Sequence, residues 1–353
     1  MTKRLCFALS ASLLVGFGSV AACVGDEAAT TANGDGGTAP DGGGTTPVDS
    51  STGPNVDASA RDASGGTDAT TTDAGADAAP LGCDLTKDFG APQSLPNVNT
   101  AAVEDSARVS PDGTELYVSR QDGTTPKSVR LYRFTKNVGG DWGNGAAVGE
   151  LSQNSGVGAT PETSNGSATF DGNDTVYYSV FRSPWMIYTS KRPPAGAWGT
   201  PTAVTLPTPG TANGREFPWF SGGSKRLYFM SDIGTVAASF RLFVSTLNVA
   251  TFGVAVPITV TAPGVVGFYA PVLTPDELTM YFAGANASGR SIYKATRLSA
   301  ANSDFGTATA VAELNGTTRF DQPTWISPDG CEILFASNRS GAFDIYRARK
   351  PTK

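Results

Sequence analysis

Ser110-Pro111-Asp112-Gly113 predicts a tight turn, and Leu116-Tyr117-Val118 just after it predicts a strand. Proline presets φ, aspartate hydrogen-bonds to the nearby backbone, and glycine accepts a positive φ. Four similar triplets, also rich in aromatic and β-branched residues, follow along the chain: Val176-Tyr177-Tyr178, Leu227-Tyr228-Phe229, Met280-Tyr281-Phe282 and Ile333-Leu334-Phe335. Such residues favour packed strands, so the chain is predicted to repeat one strand unit five times.

An aromatic-glycine pair sets the period of this repeat. It occurs at Phe89-Gly90, Trp142-Gly143, Trp198-Gly199, Phe252-Gly253 and Phe305-Gly306, at steps of 53, 56, 54 and 53 residues. Each pair precedes an alternating run, a turn, the apolar triplet and a further strand, without a helical period of useful length. The sequence therefore predicts an all-β, five-bladed β-propeller of four-stranded antiparallel blades over residues 83–353.

Two features of the repeat carry further expectations. The turn of unit four, Pro275-Asp276-Glu277, lacks the glycine, so we expect a looser or differently shaped turn there. One strand position is aromatic in every unit, at Tyr132, Tyr188, Phe243, Tyr293 and Tyr346. These aromatics resemble a ladder for stacking a ligand, but recurrence at one position per blade favours a role in the core.

The two ends of the repeat array are predicted to meet in one blade. The repeats begin with an outer strand, Phe89 to Leu95, and end after a third strand at Ile345-Tyr346-Arg347. Pairing the two closes the ring and removes both free edges. Cys83 and Cys331 then lie in the same blade, and because an exported protein sits in an oxidising compartment, we expect a disulfide between them.

Residues 1–22 have the features of an export signal. Lys3 and Arg4 precede an apolar stretch of about 16 residues, short for a membrane span, and small residues follow. The sequence Val20-Ala21-Ala22-Cys23 resembles the bacterial lipobox, which implies that Cys23 is lipidated. The alternative is ordinary cleavage that leaves a free thiol. With lipidation, the protein is an outer-membrane lipoprotein that faces the periplasm or the cell surface.

Residues 23–82 are predicted to form a disordered tether after the lipidated cysteine. The stretch is rich in Ala, Gly, Thr and Asp, with ten acidic residues and one basic residue, Arg61. It cannot bury enough apolar surface to offset the entropy of ordering it. The acidity of the chain belongs to this tether, and the folded part is nearly neutral. A nearly neutral domain argues against nucleic acid as a partner.

Units one and five resemble the TolB-type, WD-repeat-like propeller repeat. The resemblance lies in Glu104-Asp105 through Ser119 and in Asp321 through Ser327-Pro328-Asp329-Gly330 to Asp344-Ile345-Tyr346. It spans Phe89 to Arg347 as repeats, and units two to four match only in outline. TolB is a six-bladed periplasmic propeller with an extra domain, and it binds partner proteins over one face. The resemblance therefore implies a propeller with a binding role, here as an expected monomer.

The residue types present in the chain exclude several kinds of catalytic and metal-binding site. The chain has no histidine, which excludes Ser-His-Asp and Cys-His pairs and histidine-ligated zinc. We find no nucleotide-binding or nucleophile-elbow motif in the domain, and we expect no cofactor and no dedicated metal site. Carboxylate chemistry or simple binding remains, and a chance Ca²⁺ at an acidic mouth stays open.

The mouth of the channel is the predicted site. Loops that enter each innermost strand open on the same face as loops between the second and third strands. Aligned on the turns, the residues at the start of the innermost strands differ in every unit, which is the pattern expected at a ligand site. They are Glu104-Asp105, Ser164-Asn165, Arg215-Glu216, Phe268-Tyr269 and Asp321-Gln322, and the second set of loops adds Arg120, Arg182, Asp232, Arg290 and Arg339. The alternative is a solvated polar rim.

Two classes of function follow from this site. The first is a lipid-anchored binding or scaffold module that holds a segment of an envelope protein or a glycan at the mouth. The second is a glycoside hydrolase of the five-bladed propeller type, with Glu104, Asp105, Glu216 and Asp321 as the possible acid and base or nucleophile. We favour binding, because the repeat resembles a non-catalytic family.

Overall fold

A computed structural model describes residues 82–121, 129–151, 165–181, 185–194, 196–208, 214–232, 240–286, 289–316 and 319–353. The predicted export signal, Cys23, nearly all of the tether, Ser164 and Arg182 lie outside these ranges. Within them, regular structure is all strand, and no helix has the length and apolarity to cross a membrane.

The strands are short and follow one another as antiparallel neighbours. In chain order they are β1 (Gln93–Ser94), β2 (Val103–Val109), β3 (Glu115–Gln121), β4 (Val129–Thr135), β5 (Ala146–Ala147), β6 (Asn165–Asp171), β7 (Thr175–Phe181), β8 (Trp185–Lys191), β9 (Thr202–Ala203), β10 (Arg215–Ser221), β11 (Arg226–Ser231), β12 (Arg241–Asn248), β13 (Thr251–Phe252), β14 (Val256–Pro257), β15 (Gly267–Leu273), β16 (Thr279–Asn286), β17 (Gly289–Thr296), β18 (Thr309–Ala310), β19 (Asp321–Ile326), β20 (Glu332–Ser337) and β21 (Asp344–Arg349).

These strands form five sheets, each one blade of a propeller. Blade one is β2-β3-β4-β5, blade two is β6-β7-β8-β9 and blade four is β15-β16-β17-β18. Blade three is β10-β11-β12 with β14 as its outer strand, and β13 adds a short hairpin to β12. Blade five is β19-β20-β21 with β1. The predicted all-β, five-bladed β-propeller is confirmed.

The ring is closed by the two ends of the described domain. Strand β1 pairs antiparallel with β21, and Gln93 lies opposite Arg347. The Gly90 amide donates to the carbonyl oxygen of Arg349 at 2.7 Å, which extends the pairing. The predicted disulfide is present, since the Cys83 and Cys331 sulfurs lie 2.07 Å apart. Both the closure and the bridge are therefore confirmed.

The core lies between neighbouring blades. The apolar triplets of all five units supply buried side chains to it, and Tyr117, Tyr178 and Tyr228 are among the largest fully buried ones. The recurrent aromatics pack on these triplets, as in Phe335–Tyr346, whose ring centroids lie 5.8 Å apart. Tyr132 and Tyr293 are only partly buried, but they also pack against the core. The ladder of aromatics is thus part of the core.

The turn of unit four has the same shape as its glycine-containing counterparts, so the expectation of a looser turn was wrong. The Glu277 amide donates to the Thr274 carbonyl at 2.8 Å, as Gly113 donates to Ser110 at 2.9 Å. Glu277 takes φ 59°, against 73° at Gly113. Its buried carboxylate accepts hydrogen bonds from Arg226 at 2.9 Å and Tyr228 at 2.7 Å. These contacts hold a backbone conformation that costs about 1–3 kcal/mol outside glycine.

Every innermost strand contains a β-bulge near the mouth. The register shifts lie after Glu104, Gly166, Glu216, Tyr269 and Pro323, one in each blade. The bulged residues Ser167, Phe217 and Ala270 have positive φ. The Ser167 amide donates to the Ser119 hydroxyl of the preceding blade at 2.9 Å, which ties the bulge to its neighbour. Because a bulge re-aims side chains, it directs adjacent residues to different surroundings.

Candidate binding site at the channel mouth

The strand pairing fixes which residues begin the innermost strands. It agrees with the sequence alignment in four blades and shifts it by one residue in blade two. There Asp171 pairs with Thr175 and takes the place of the turn serine, so Asn165 and Gly166 occupy the predicted positions instead of Ser164 and Asn165. The reason is that the unit-two turn has no proline or serine to fix the alignment.

Two of the predicted carboxylates are engaged within their own blades. Glu104 has no exposed surface, and its Oε1 accepts a hydrogen bond from Arg120 Nε at 2.8 Å. The Thr100 hydroxyl donates to the same carboxylate at 2.7 Å, and Arg120 also donates to the Val98 carbonyl at 2.6 Å. The Arg120 guanidinium lies 4.5 Å from the Tyr132 ring centroid. The pair joins the start of β2 to the end of β3.

Blade five repeats this arrangement. The buried Asp321 carboxylate accepts hydrogen bonds from Arg339 Nη2 at 3.0 Å and from the Gly316 amide at 2.9 Å. Arg339 also donates to the Leu314 carbonyl at 2.6 Å. In blades one and five the carboxylate and the arginine proposed for the site therefore bond to each other.

Two further predicted residues lie at the edge of the mouth. Burial lowers the pKa of Arg215, and the Asp232 carboxylate opposes that shift. Phe268 packs on Phe282 with ring centroids 5.5 Å apart, so it belongs partly to the blade-four core. Arg182 lies outside the described residues.

The remaining predicted residues meet in one cluster with Arg290, which we call the mouth cluster: Asp105, Glu216, Tyr269, Arg290 and Gln322. The Arg290 guanidinium lies 3.9 Å from the Tyr269 ring centroid, and its Nη1 donates to Gln322 Oε1 at 3.4 Å. Gln322 in turn donates from Nε2 to the Asp105 carbonyl at 2.9 Å. Phe240 extends the aromatic surface, with its ring centroid 5.3 Å from that of Tyr269. Blades one, four and five are thus linked around the channel mouth.

The two carboxyls of the mouth cluster titrate well above their ordinary range. Burial raises the pKa of Glu216 to about 8, opposed by Arg290 and reinforced by Asp105 and Asp232. Burial also raises the pKa of Asp105 to about 6, again opposed by Arg290. Both side chains keep some accessible surface at the channel. Glu216 is therefore mostly protonated at neutral pH, whereas Asp105 is mostly ionised.

The mouth cluster has polar groups left over for a ligand. Among the described residues, no other residue donates a hydrogen bond to either the Glu216 or the Asp105 carboxyl. No group of three or more acidic or cysteine side chains with metal-binding geometry occurs in the described ranges. The arrangement suits hydrogen bonding to the two carboxyls beside the stacked Arg290–Tyr269 pair.

Comparison with protein-family models finds no match, and comparison with curated proteins finds none. Among solved structures, the chain is similar to a TolB protein from Agrobacterium tumefaciens, at 18% identity and TM-score 0.43, over 72% of this chain and 78% of that one. It is also similar to a GH43_1 enzyme from Xanthomonas citri complexed with xylotriose, at 14% identity and TM-score 0.47, over 73% and 89%. The fold itself is a five-bladed β-propeller. Similarity at this level concerns architecture alone.

The propeller also places residues in its channel that the sequence did not single out. Phe240 follows a stretch without a strand signal, so nothing in the sequence marked it. Arg108 lies two residues before the turn serine, where units three to five have Trp219, Val272 and Trp325. A charge at a position that is uncharged in the other units is a signal that the alignment contained.

Proposed function

We propose that the protein is a binding or scaffold module that holds a protein segment or a glycan at the channel mouth. The observation that carries the proposal is the mouth cluster, in which two carboxyls that accept no hydrogen bond from another described residue converge beside an arginine stacked on an aromatic ring. Hydrogen bonds from a ligand to these free acceptor positions stabilise the bound state.

The chemistry of the cluster favours a ligand with hydroxyl or amide groups and an apolar face. A protonated Glu216 both donates and accepts hydrogen bonds, and Asp105 accepts them. Tyr269 and Phe240 present aromatic surface for a sugar ring or an apolar side chain. These groups lie at one face of the ring, and the positions that carry them vary among blades whose cores repeat.

The cellular setting belongs to the same proposal. We place the protein in the cell envelope, lipidated at Cys23 and held to the outer membrane by the acidic tether of residues 23–82. A flexible tether of this length has a reach of roughly 40 Å, which lets the mouth meet envelope partners. The partner is then an envelope protein or glycan, and the protein acts as a monomer.

A glycoside hydrolase is the second candidate, and one observation favours it. The two carboxyls of the mouth cluster titrate apart, with pKa values of about 8 for Glu216 and about 6 for Asp105. Glycosidases pair a protonated acid with an ionised base or nucleophile. In this reading Glu216 is the acid, and Asp105 activates water or attacks the sugar.

The test compares binding and turnover in matched variants. Purified protein is titrated with a panel of bacterial and plant oligosaccharides and used to capture partners from envelope extracts. Arg290→Ala and Glu216→Ala are expected to weaken binding at least tenfold, about 1.4 kcal/mol, as for a central contact. Arg349→Ala is the control, because Arg349 is exposed at the opposite end of β21.

The outcomes separate the two candidates. Binding that all three variants leave unchanged would remove the mouth cluster from the function. The same oligosaccharides and a set of aryl glycosides are assayed for hydrolysis. Turnover that is abolished by Glu216→Gln but retained in Arg349→Ala would replace the binding role with the hydrolase.

A further inference from the structure

A charged side chain lies inside the ring, deeper along β2 than the mouth cluster. Arg108 is only 6% exposed, and its guanidinium carbon lies 3.9 Å from the Trp219 ring centroid. The strand pairing places Thr169, Trp219, Val272 and Trp325 at the same level of the other innermost strands. Arg108 is therefore the only ionisable residue at this level of the five described innermost strands.

Among the described residues, no carboxylate pairs with the Arg108 guanidinium. Its Nη2 donates one long hydrogen bond, 3.4 Å, to the Pro218 carbonyl oxygen, and its Nε has no partner. Burial holds the pKa of Arg108 well below its ordinary value, and no carboxylate of the described residues offsets that effect. Arginine nonetheless keeps its proton in proteins, so the group is a buried cation. An uncompensated buried charge is strongly unfavourable.

A small cavity adjoins this cation on the axis of the ring. All five innermost strands line it, with Ser106 and Arg108 from blade one, Ser167 from blade two, Phe217 from blade three, Ala270 from blade four and Thr324 from blade five. The cavity has room for about one water-sized occupant. The Thr324 hydroxyl is buried in its wall and also has no hydrogen-bond partner.

We propose that this axial cavity binds one small monovalent anion of chloride size, held by the Arg108 guanidinium that lines it. An anion accepts hydrogen bonds from the guanidinium and compensates its charge. Ser106 and Ser167 line the same wall and offer hydroxyl donors. A water molecule also accepts a hydrogen bond from the guanidinium but leaves the buried charge uncompensated.

The size of the cavity decides the class of anion. Phosphate, sulfate and ligand carboxylates carry several heavy atoms and do not fit a space for one water-sized particle. The site also differs from the mouth cluster, where the ionised Asp105 disfavours an anion. The anion has a structural role, because it stabilises the contact between the innermost strands of blades one and five. These blades lie next to each other at the closure of the ring.

The direct test is diffraction from crystals of the wild-type protein grown with sodium bromide in place of sodium chloride. Bromide scatters anomalously, so an anion is distinguished from water. We expect an anomalous peak in the axial cavity within hydrogen-bonding distance of the Arg108 guanidinium. Density there without an anomalous signal means a water molecule and would overturn the proposal, as would an empty cavity.

A solution test uses unfolding at constant ionic strength, with chloride exchanged for gluconate, an anion too large for the cavity. Above its dissociation constant, a ligand of the native state lowers the unfolding equilibrium constant about tenfold for each tenfold rise in concentration. We expect this dependence in the wild type and in the control Arg349→Ala, and its loss in Arg108→Met. Equal dependence in Arg108→Met, or none in the wild type, would contradict the site. If Arg108→Met does not fold, the bromide experiment on the wild type decides.

Discussion

Glu216 illustrates how one residue couples the mouth to the stability of the ring. Its carboxyl has a pKa of about 8 in the folded protein, against an ordinary value of 4.5. The folded protein therefore holds a proton that the unfolded chain has released. The stabilisation from Glu216 is complete below about pH 4.5 and is lost as the pH rises through about 8.

Replacement of Glu216 by glutamine is expected to flatten this pH dependence. Between pH 5 and 8, the free energy of unfolding of the wild type should fall more steeply than that of Glu216→Gln, by at most about 1.4 kcal/mol per pH unit. Chemical denaturation of both proteins across this range measures the difference. Glu150→Gln, outside the channel, serves as the control, and parallel curves for wild type and Glu216→Gln would show that Glu216 titrates normally.

Glu277 shows why a turn could be predicted in position but not in detail. The proline and aspartate before it fixed the location of the turn in unit four. Its shape depends on contacts from Arg226 and Tyr228, which lie 51 and 49 residues away in the chain. Rules that use only the residues of a turn do not include such distant partners. The missing glycine therefore led to a wrong expectation of the shape of this turn.

At the scale of the strand pair, the Glu104–Arg120 and Asp321–Arg339 bonds join the ends of neighbouring strands in blades one and five. Each carboxylate is fully buried, and the arginines are 13% and 15% exposed. Removing one partner of a buried pair leaves an uncompensated charge, whereas removing both with residues of similar shape costs far less. Each member of a pair therefore stabilises the fold only while its partner is present.

Arg120→Ala is expected to destabilise the protein by about 3–5 kcal/mol, because it leaves Glu104 buried without its cation. The double variant Glu104→Gln with Arg120→Met should recover much of that loss. Arg349→Ala breaks a pair in which the arginine is 62% exposed and should cost no more than about 1 kcal/mol. Denaturant titrations compare the variants. Equal losses in the two arginine variants would mean that Glu104 has access to water.

The same strands show what the sequence could indicate about the site. The alignment located the mouth, because the innermost strands repeat and their first residues vary. It could not separate Glu104, which bonds to Arg120, from its neighbour Asp105, which faces the mouth cluster. The bulge directly after Glu104 directs the two side chains to different surroundings, and no residue pattern in the sequence predicts this bulge.

At the scale of the whole molecule, the closure of the ring was predictable because it follows from the number and order of strands in the repeats. A repeat that begins with an outer strand and ends without one has a single arrangement that leaves no edge. The structure pairs β1 with β21 accordingly, and the Asp84 amide donates to the Pro351 carbonyl at 2.9 Å beyond them. The Cys83–Cys331 disulfide lies next to this contact, with a sequence separation of 248 residues.

Loss of this disulfide should lower the stability of the ring as a whole. In the chain-entropy model, cross-linking a loop of this length stabilises the folded state by about 5 kcal/mol, an upper value. Cys83→Ser with Cys331→Ser is therefore expected to shift the denaturation midpoint downward without changing the blade structure. Circular dichroism and denaturant titration measure both quantities, and mass spectrometry before and after reduction verifies the bond in the wild type.

The control is the wild type titrated in the presence of a reductant, which should match the double serine variant. The comparison measures the share of the closure that the disulfide carries, because β1 pairs with β21 over two residues and the amides of Asp84, Gly90 and Leu95 add further hydrogen bonds. If reduction and substitution both leave the midpoint unchanged, the strand pairing closes the ring by itself. The cysteines would then contribute nothing to the stability of the closed ring.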